Sequence, residues 1–353
     1  MLAQTFPEHR VDVIDTGDWR DTIAYKPLNR LCVYKEFARL ILSRRKPARD
    51  YLPLTRYYYD HFRRSLIGYL TLEKYAFTFQ TESHFDASVP GLPHFVYTPY
   101  VNRANLQQPG FDRRDLMPPS WIDLERRIFR NAARVFTFSR YVSRCIVEEY
   151  GCPVEKVVCV GVGGNARPEL EETADPARYA RRHIVFVGRI WEQKGGPTLA
   201  EAFKRVLTVH SDARLTIVGC SPSLDVPNCH VVGKVTLGET NQYYREGSIF
   251  CMPTTLEAFG ISFIEAMSHQ LPVIGTSIGA MPDFIEEGRN GYLVRPFDVE
   301  TLAARLIELL GDPDRCRTMG VRSRELVRER FNWKQVGATI RHHIDGYRNG
   351  EAI

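Results

Sequence analysis

The sequence predicts an α/β protein of open parallel sheets, divided into two domains. Three observations predict it. The chain has 353 residues, about twice the usual size of one domain. Its second half alternates short apolar runs, each closed by Gly or Pro, with stretches of helical spacing. A glycine-rich stretch, residues 161–168, separates that half from a first half with similar but more loosely placed runs. At 44% hydrophobic, 25% charged and 11% aromatic, the composition is globular, too apolar for disorder and too mixed for a fibre.

In the first half the strand candidates are residues 11–15, 75–79, 95–98, 135–138 and 157–160, rich in Val, Phe, Tyr and Thr and separated by helical or irregular stretches. In the second half they are 183–188, 215–219, 230–233, 249–253, 272–276 and 291–294. Pro197 opens a helix with Leu199, Ala202, Phe203, Val206 and Leu207 at helical spacing. Further helices run through 265–267 and near 284–286, and the alternation describes a sheet wound on both faces. Residues 299–310, about 313–330 and 333–347 then read as helices with no further strand.

Several classes are excluded. The first ten residues lack a basic start followed by an apolar run, and no window approaches eighteen apolar residues, which argues against secretion and membrane spanning. The eight cysteines form neither CxxC pairs nor His/Cys clusters, so a reduced cytoplasmic setting without disulfides or structural zinc is expected. Residues 1–165 hold 24 basic and 18 acidic side chains, and residues 166–353 hold 23 and 24. The excess sits at 26–64, with eleven basic and three acidic residues around Arg44-Arg45-Lys46. It reads as a solvated face or a surface for an anionic partner, with no nucleic-acid signature. Leu31, Tyr34, Ala38, Ile41 and Leu42 fall near one helical face there, suited to packing on the domain or to peripheral contact with a membrane.

Two constellations carry chemistry. In Gly188-Arg189-Ile190-Trp191-Glu192-Gln193-Lys194-Gly195 two cations follow a strand, at the edge where open sheets bind ligands. Arg189 offers a planar fork and Lys194 a point charge, both suited to a diphosphate. Sixty residues later, Glu257 lies in the loop after a strand and Glu265 on the following helix, with Gly260 between them and free N–H groups at the helix start. Loop cations alone are usually just solvated, and a lone glutamate at a helix start is usually a cap. Together, in this order, they suit both halves of a nucleotide sugar. By contrast, Gly161-Val162-Gly163-Gly164 lacks an apolar helix after it and reads as a hinge, not a dinucleotide fingerprint. Asp312-Pro313-Asp314 reads as a helix-terminating turn, not a metal site.

These motifs resemble the retaining glycosyltransferases of family 4, glycosyl transferases group 1. The carriers are Gly188-Arg189, Lys194-Gly195, the glutamates 257 and 265 with seven residues between, and the words Glu265-Ala266-Met267, Leu271-Pro272-Val273-Ile274, Asn290-Gly291-Tyr292-Leu293-Val294 and Phe331-Asn332-Trp333. The likeness is strong over about 183–345 and thin before about 75. It implies a GT-B fold, two Rossmann-like domains facing each other across a cleft: an acceptor-side domain at 1–165, a donor domain at 166–332, and a helix at 333–353 returning to the first. It implies transfer from a UDP- or GDP-sugar to an acceptor hydroxyl with retention, without metal or cofactor, the nucleotide sugar being a substrate. Arg189, Lys194 and Glu257 would be catalytic. Gly188, Val235, Ala258, Phe259, Gly260, Ile261 and Glu265 would complete the donor site, with Glu265 on the ribose and Val235 near the base. The acceptor would be anionic or lipid-linked, reached from the cytoplasm or its membrane face.

Two departures stand out. Residues 1–16 lack the Gly-rich loop that relatives bring to the donor, so that either the polypeptide starts late or acceptor-side chemistry differs. Tyr100 also stands where many relatives place a histidine, which leaves His84 or His94 as substitutes, although a histidine in such a stretch is more often structural. A non-catalytic nucleotide-sugar-binding homologue and a nucleotide-sugar epimerase on the same fold are the alternatives.

Overall fold

The computed structural model describes residues 1–14, 26–43, 47–70, 74–164 and 175–350. Arg44-Arg45-Lys46 and residues 165–168 of the expected hinge lie outside them. The chain forms two compact units: Met1–Leu106 with Asp112–Val160 and Gly337–Ile353, and Gln107–Phe111 with Gly161–Val336.

The first unit holds a parallel sheet in the order β1 (Thr78–Thr81), β2 (His94–Thr98), β3 (Arg134–Thr137), β4 (Val157–Cys159). Its described helices before residue 160 are α1 (Leu2–Thr5), α2 (Pro27–Leu42), α3 (Arg56–Tyr69), α4 (Pro119–Asn131) and α5 (Arg140–Tyr150). Order and sequence run together, so right-handed crossovers put their helices on one face. Trp121, Ile122, Leu124, Ile128 and Phe129 of α4 and Val142, Cys145 and Ile146 of α5 accordingly share a buried cluster with Val96 and Val135. Local chemistry sets the helix ends: the Tyr58 N–H donates to the Thr55 hydroxyl at the start of α3, that of Val142 to Ser139 at the start of α5, and Gly151 closes α5 at φ +67°.

Two expectations shift here, and one that had two alternatives is narrowed. Residues 11–14 form no strand, and the strand expected at 75–79 forms at Thr78–Thr81. Helix α2 forms, but the face it buries is Asn29, Val33, Phe37 and Leu40, not the face of Leu31 and Ala38. The reason is the partner: Phe37 stacks on Tyr51 at 4.9 Å and the Asn29 amide donates to the Leu52 carbonyl at 2.9 Å.

The second unit is a six-stranded parallel sheet in the order β10-β9-β8-β5-β6-β7. Its strands are β5 (His183–Val187), β6 (Arg214–Val218), β7 (Cys229–Gly233), β8 (Ile249–Met252), β9 (Val273–Thr276) and β10 (Gly291–Val294). Around them run α6 (Gly196–Val209), α7 (Leu237–Glu246), α8 (Ile261–Ser268), α9 (Met281–Phe284), α10 (Val299–Leu310) and α11 (Pro313–Arg330). Buried on both faces, the central strands read as unbroken apolar runs, which is why the sequence located them within a residue or two. Asp312 is the N-cap of α11, accepting from the Arg315 N–H at 2.9 Å, so the turn that ends α10 also starts the next helix.

The last helix, α12 (Trp333–Asn349), begins in the second unit and continues in the first. Where it starts, a side chain at Gly163 would lie 2.6 Å from the Trp333 ring. Beyond Gly337, Tyr347 packs edge-on against Phe95 at 5.8 Å and His343 lies beside Phe136 at 6.3 Å, covering the sheet face that α4 and α5 leave open. Among the described residues, no helix is long and apolar enough to cross a membrane.

Candidate functional site

The winding of the second sheet reverses between β5 and β8: the chain proceeds one way through β6 to β7 and the other way through β9 to β10. The crossovers diverge there, leaving a crevice outside the carboxyl ends of the strands. The loop 188–195 leaves β5 at that point, and 253–260 leaves β8.

Backbone stitches these loops together. The Gln193 carbonyl accepts from the N–H groups of Thr255 at 2.9 Å and Leu256 at 3.3 Å, and from the hydroxyls of Thr254 and Thr255 at 3.0 and 3.2 Å. Gly195, at φ +75°, is so close to β8 that a Cβ would fall 1.8 Å from the Pro253 carbonyl oxygen. Only glycine allows that approach. On this frame Lys194 Nζ donates to Glu257 Oε2 at 2.6 Å and to the Leu256 carbonyl at 3.4 Å, with the two side chains 21% and 13% exposed. Glu257 Oε1 accepts from the Ala258 N–H at 3.0 Å. Arg189, on the same loop, is exposed.

Gly260, at φ +95°, starts α8, whose first N–H groups favour an anion. The Phe259 ring is buried, tilted on Phe284 at 5.6 Å, so this residue offers its backbone to the crevice. Ala258 and Ile261, on either side of the Phe259-Gly260 step, are half-buried. Glu265 is only 7% exposed; the Tyr244 hydroxyl donates to its Oε2 at 3.2 Å. Burial raises its carboxyl above the usual range, and the Tyr244 bond opposes that.

Two features escaped the sequence reading. The first is that Gly188, expected in the donor site, continues through Gly219 and Gly233 as a strip of bare backbone across the strand ends. The Gly188 N–H donates to Val218 at 2.9 Å and the Gly219 N–H to Gly233 at 2.7 Å, while a Cβ on Gly219, at φ +95°, would sit 2.8 Å from the Gly188 carbonyl oxygen. Val235 follows this strip, half-buried. The signal was present, since each glycine closes an apolar run. The second is the strap Gln107–Phe111. Gln108 Nε2 donates to the Glu257 carbonyl at 2.8 Å, its Oε1 accepts from the Glu257 N–H at 3.2 Å, and the Gly110 N–H donates to the Thr255 carbonyl at 2.8 Å. No local pattern marks a glutamine that acts on a residue so far along the chain.

In the first unit, His84 follows β1 at the carboxyl edge of the sheet, 61% exposed, with Nδ1 3.0 Å from Glu82. Tyr100 is a different case: among the described residues its hydroxyl has no hydrogen-bond partner, and burial raises it. His94 is buried in β2, its Nδ1 2.8 Å from the Thr78 hydroxyl, and burial lowers it to about 4, leaving a neutral imidazole. The same edge contains a carboxyl that the sequence did not single out. Glu125 of α4 accepts from the Ser83 hydroxyl at 2.9 Å, from the Asn102 N–H at 3.2 Å and from the Tyr150 hydroxyl. Burial pushes it up to about 7. Among the described residues, no group of three His, Cys, Asp or Glu is placed to hold a metal ion.

A doubly wound sheet with cations after its first strand and glutamates after its fourth, in a chain with a second parallel α/β unit, defines the GT-B class of glycosyltransferase folds. Sucrose-phosphate synthase from Thermosynechococcus elongatus has a TM-score of 0.67 at 20% identity, over 83% of this chain and 79% of that one. HepE from Anabaena, solved with UDP and glucose, has 0.58 at 15% identity, over 72% of each. At these identities the likeness is one of fold. Residues 181–312 match the family described as glycosyl transferases group 1. The chain is 31% identical to a sulfoquinovosyl transferase of Arabidopsis thaliana over 169 residues, 45% of this chain and 32% of that protein. It is 29% identical to a GDP-mannose-dependent phosphatidylinositol monomannoside mannosyltransferase of Mycobacterium tuberculosis over 202 residues, 51% of each. The chain thus spans from about a third to about half the length of these relatives.

Proposed function

We propose that the protein transfers a sugar from a nucleoside diphosphate sugar, with UDP or GDP as the nucleotide, to an acceptor hydroxyl with retention of configuration. The observation that carries this reading is the Lys194–Glu257 pair at the β5/β8 reversal, 2.6 Å long, with Arg189 exposed on the same loop as Lys194. The pair is a resting form. An arriving diphosphate takes Lys194 from Glu257, and the freed carboxylate then accepts from hydroxyls of the sugar. Arg189 grips the remaining phosphate oxygens with its fork. Glu265 accepts from the ribose, the N–H groups at 259–262 meet sugar and phosphate, and the strip from Gly188 to Gly233 leaves room for the nucleoside, with the Val235 main chain at the base.

In the transfer, the bond from the anomeric carbon to the β-phosphate oxygen breaks and its electron pair leaves with the nucleotide. Arg189 and Lys194 stabilise that charge, in place of a metal ion. Retention requires the acceptor oxygen to bond on the face the phosphate leaves, so the departing phosphate oxygen is the base that takes its proton. HepE was also solved with UDP-glucose, and the mycobacterial relative uses GDP-mannose by its name, which supports both nucleotides. The name of that relative includes phosphatidylinositol monomannoside, and that of an N-acetyl-alpha-D-glucosaminyl L-malate synthase of Bacillus anthracis includes L-malate, which favours an anionic or lipid-linked acceptor here. In the first unit, His84 is the exposed side chain offered to that acceptor; Tyr100 contributes backbone alone.

The test is a thermal-shift panel of UDP, GDP, ADP and TDP with their sugars, followed by release of free nucleotide from the best donor on adding acceptors. One nucleotide should raise the midpoint and appear as product. A shift without release in any acceptor would indicate a non-catalytic binder, and an altered sugar still attached to its nucleotide would indicate an epimerase.

A further inference from the structure

Helix α2 carries two apolar stripes. One, Val33, Phe37 and Leu40, is buried against residues 48–54 and α3, and Asn29 locks it in rotation through the Leu52 carbonyl and the Thr55 hydroxyl. On the opposite side, on the same 3.6-residue period, lie Leu28, Leu31, Ala38 and Leu42, bordered by Tyr34. Leu28, Leu31, Tyr34 and Leu42 are 55%, 67%, 61% and 80% exposed. Fourteen large hydrophobic side chains are exposed among the described residues, and four of them belong to this one helix. A helix needs only one such stripe to hold its place in a fold, so the second calls for another partner.

The charges around it specify that partner. Lys35 lies within the exposed face, Arg30 borders it on one side, Arg39 borders it on the other while donating to the Leu116 carbonyl at 2.9 Å, and Lys26 precedes the helix. The single acid of the helix, Glu36, is turned to the docked side, half-buried, and accepts from the Arg56 N–H at 3.0 Å. The exposed face therefore combines aliphatic side chains with positive charge alone. A protein surface would leave those cations opposite an apolar groove, whereas a bilayer with anionic headgroups takes both at once: acyl chains receive the leucines, and phosphates at the level of the helix axis receive Lys and Arg.

We propose that α2 is a membrane-docking element that lies in the headgroup layer of an anionic bilayer, inserting Leu28, Leu31, Tyr34 and Leu42 between Arg30, Lys35 and Arg39. The docked stripe remains in the fold, so binding needs no unfolding of the first unit. The inference does not depend on the reading of the donor site.

The full chain should be floated with vesicles of phosphatidylcholine alone and with about 30% phosphatidylglycerol, whose negative surface attracts cations near it. At least about tenfold stronger partition onto the anionic vesicles is expected, falling by a similar factor between about 0.1 M and 1 M NaCl as screening shortens from about 10 to about 3 Å. Leu31→Glu and, separately, Lys35→Glu should each reduce partition about tenfold without moving the melting temperature, since both side chains are exposed. Leu42→Gln is a milder second probe should the glutamates perturb folding. Equal partition onto both vesicles, no partition, or partition insensitive to Leu31→Glu and Leu42→Gln would overturn the proposal. So would a dimer in sedimentation that Leu31→Glu dissociates, because the stripe would then belong to a second copy.

Discussion

Glu257 and Glu125 each lie at the carboxyl edge of a parallel sheet, and their surroundings are opposite. Glu257 faces a cation, Lys194 at 2.6 Å, and both side chains keep some solvent contact. Glu125 is wholly buried among neutral donors: Ser83, the Asn102 N–H and Tyr150. A carboxylate beside an exchangeable cation is poised to trade that partner for a ligand. A carboxyl enclosed by hydroxyls and an amide instead ties together the loop after β1, the loop after β2 and the end of α5. On the proposed function, one edge is arranged for chemistry and the other for shape, and the difference lies in whether a countercharge is supplied.

The largest effect that would break this contrast is on turnover. Lys194→Ala should lower nucleotide release by about a hundredfold to a thousandfold, the range for losing a group that meets charge in the transition state. Steady-state kinetics with the donor identified by thermal shift would measure it, and a loss under fivefold would make the pair merely structural. Arg189→Ala should act likewise with no change in melting temperature, being exposed. The next effect concerns Glu125. Its carboxyl titrates at about 7 in the fold against about 4.5 in the unfolded chain. As pH rises from 4.5 to 7 the unfolded chain releases the proton while the fold retains it, so stability falls by roughly 3 kcal/mol over that window. Glu125→Gln, which preserves the neutral shape, should abolish that loss: urea denaturation should find it more stable than the parent at pH 8 and no more stable at pH 5.

Much of the second unit was legible in the sequence because its signals are local. The cation loop and the glutamates lie within a few residues of strands that read as plain apolar runs, and the winding that joins them follows from chain order. The first unit was harder. Glu125 reaches its partners across 42, 23 and 25 residues, and none of them carries a pattern. In helix α2 the sequence left packing and membrane contact open for a related reason: two apolar stripes satisfy the same periodicity, and only the packing of Phe37 on Tyr51 decides which one is buried.

Two smaller effects sharpen the contrast. Gln108→Ala removes both bonds to the Glu257 backbone and should lower stability by about 1–2 kcal/mol. Turnover should fall several-fold, with nucleotide affinity nearly unchanged, which calorimetry and kinetics would separate. Tyr100→Phe should have the smallest effect: deleting a buried hydroxyl that has no partner among the described residues should leave turnover unchanged and raise stability by up to about 1 kcal/mol. A fall in turnover would return that hydroxyl to the acceptor.

The strap at Gln107–Phe111 also sets an order of events during synthesis. Gln108 leaves the ribosome 149 residues before the glutamate whose backbone it clasps. At about 5–20 residues per second that is a wait of roughly 7–30 s, during which the first sheet can form around a strap still empty-handed. A fragment beginning at Gly161 would never receive this clasp, so its 253–260 loop would fold with the Glu257 amide and carbonyl left to water. The second half of the chain can therefore close its own sheet, but it depends on the first half for the last turn of its loop.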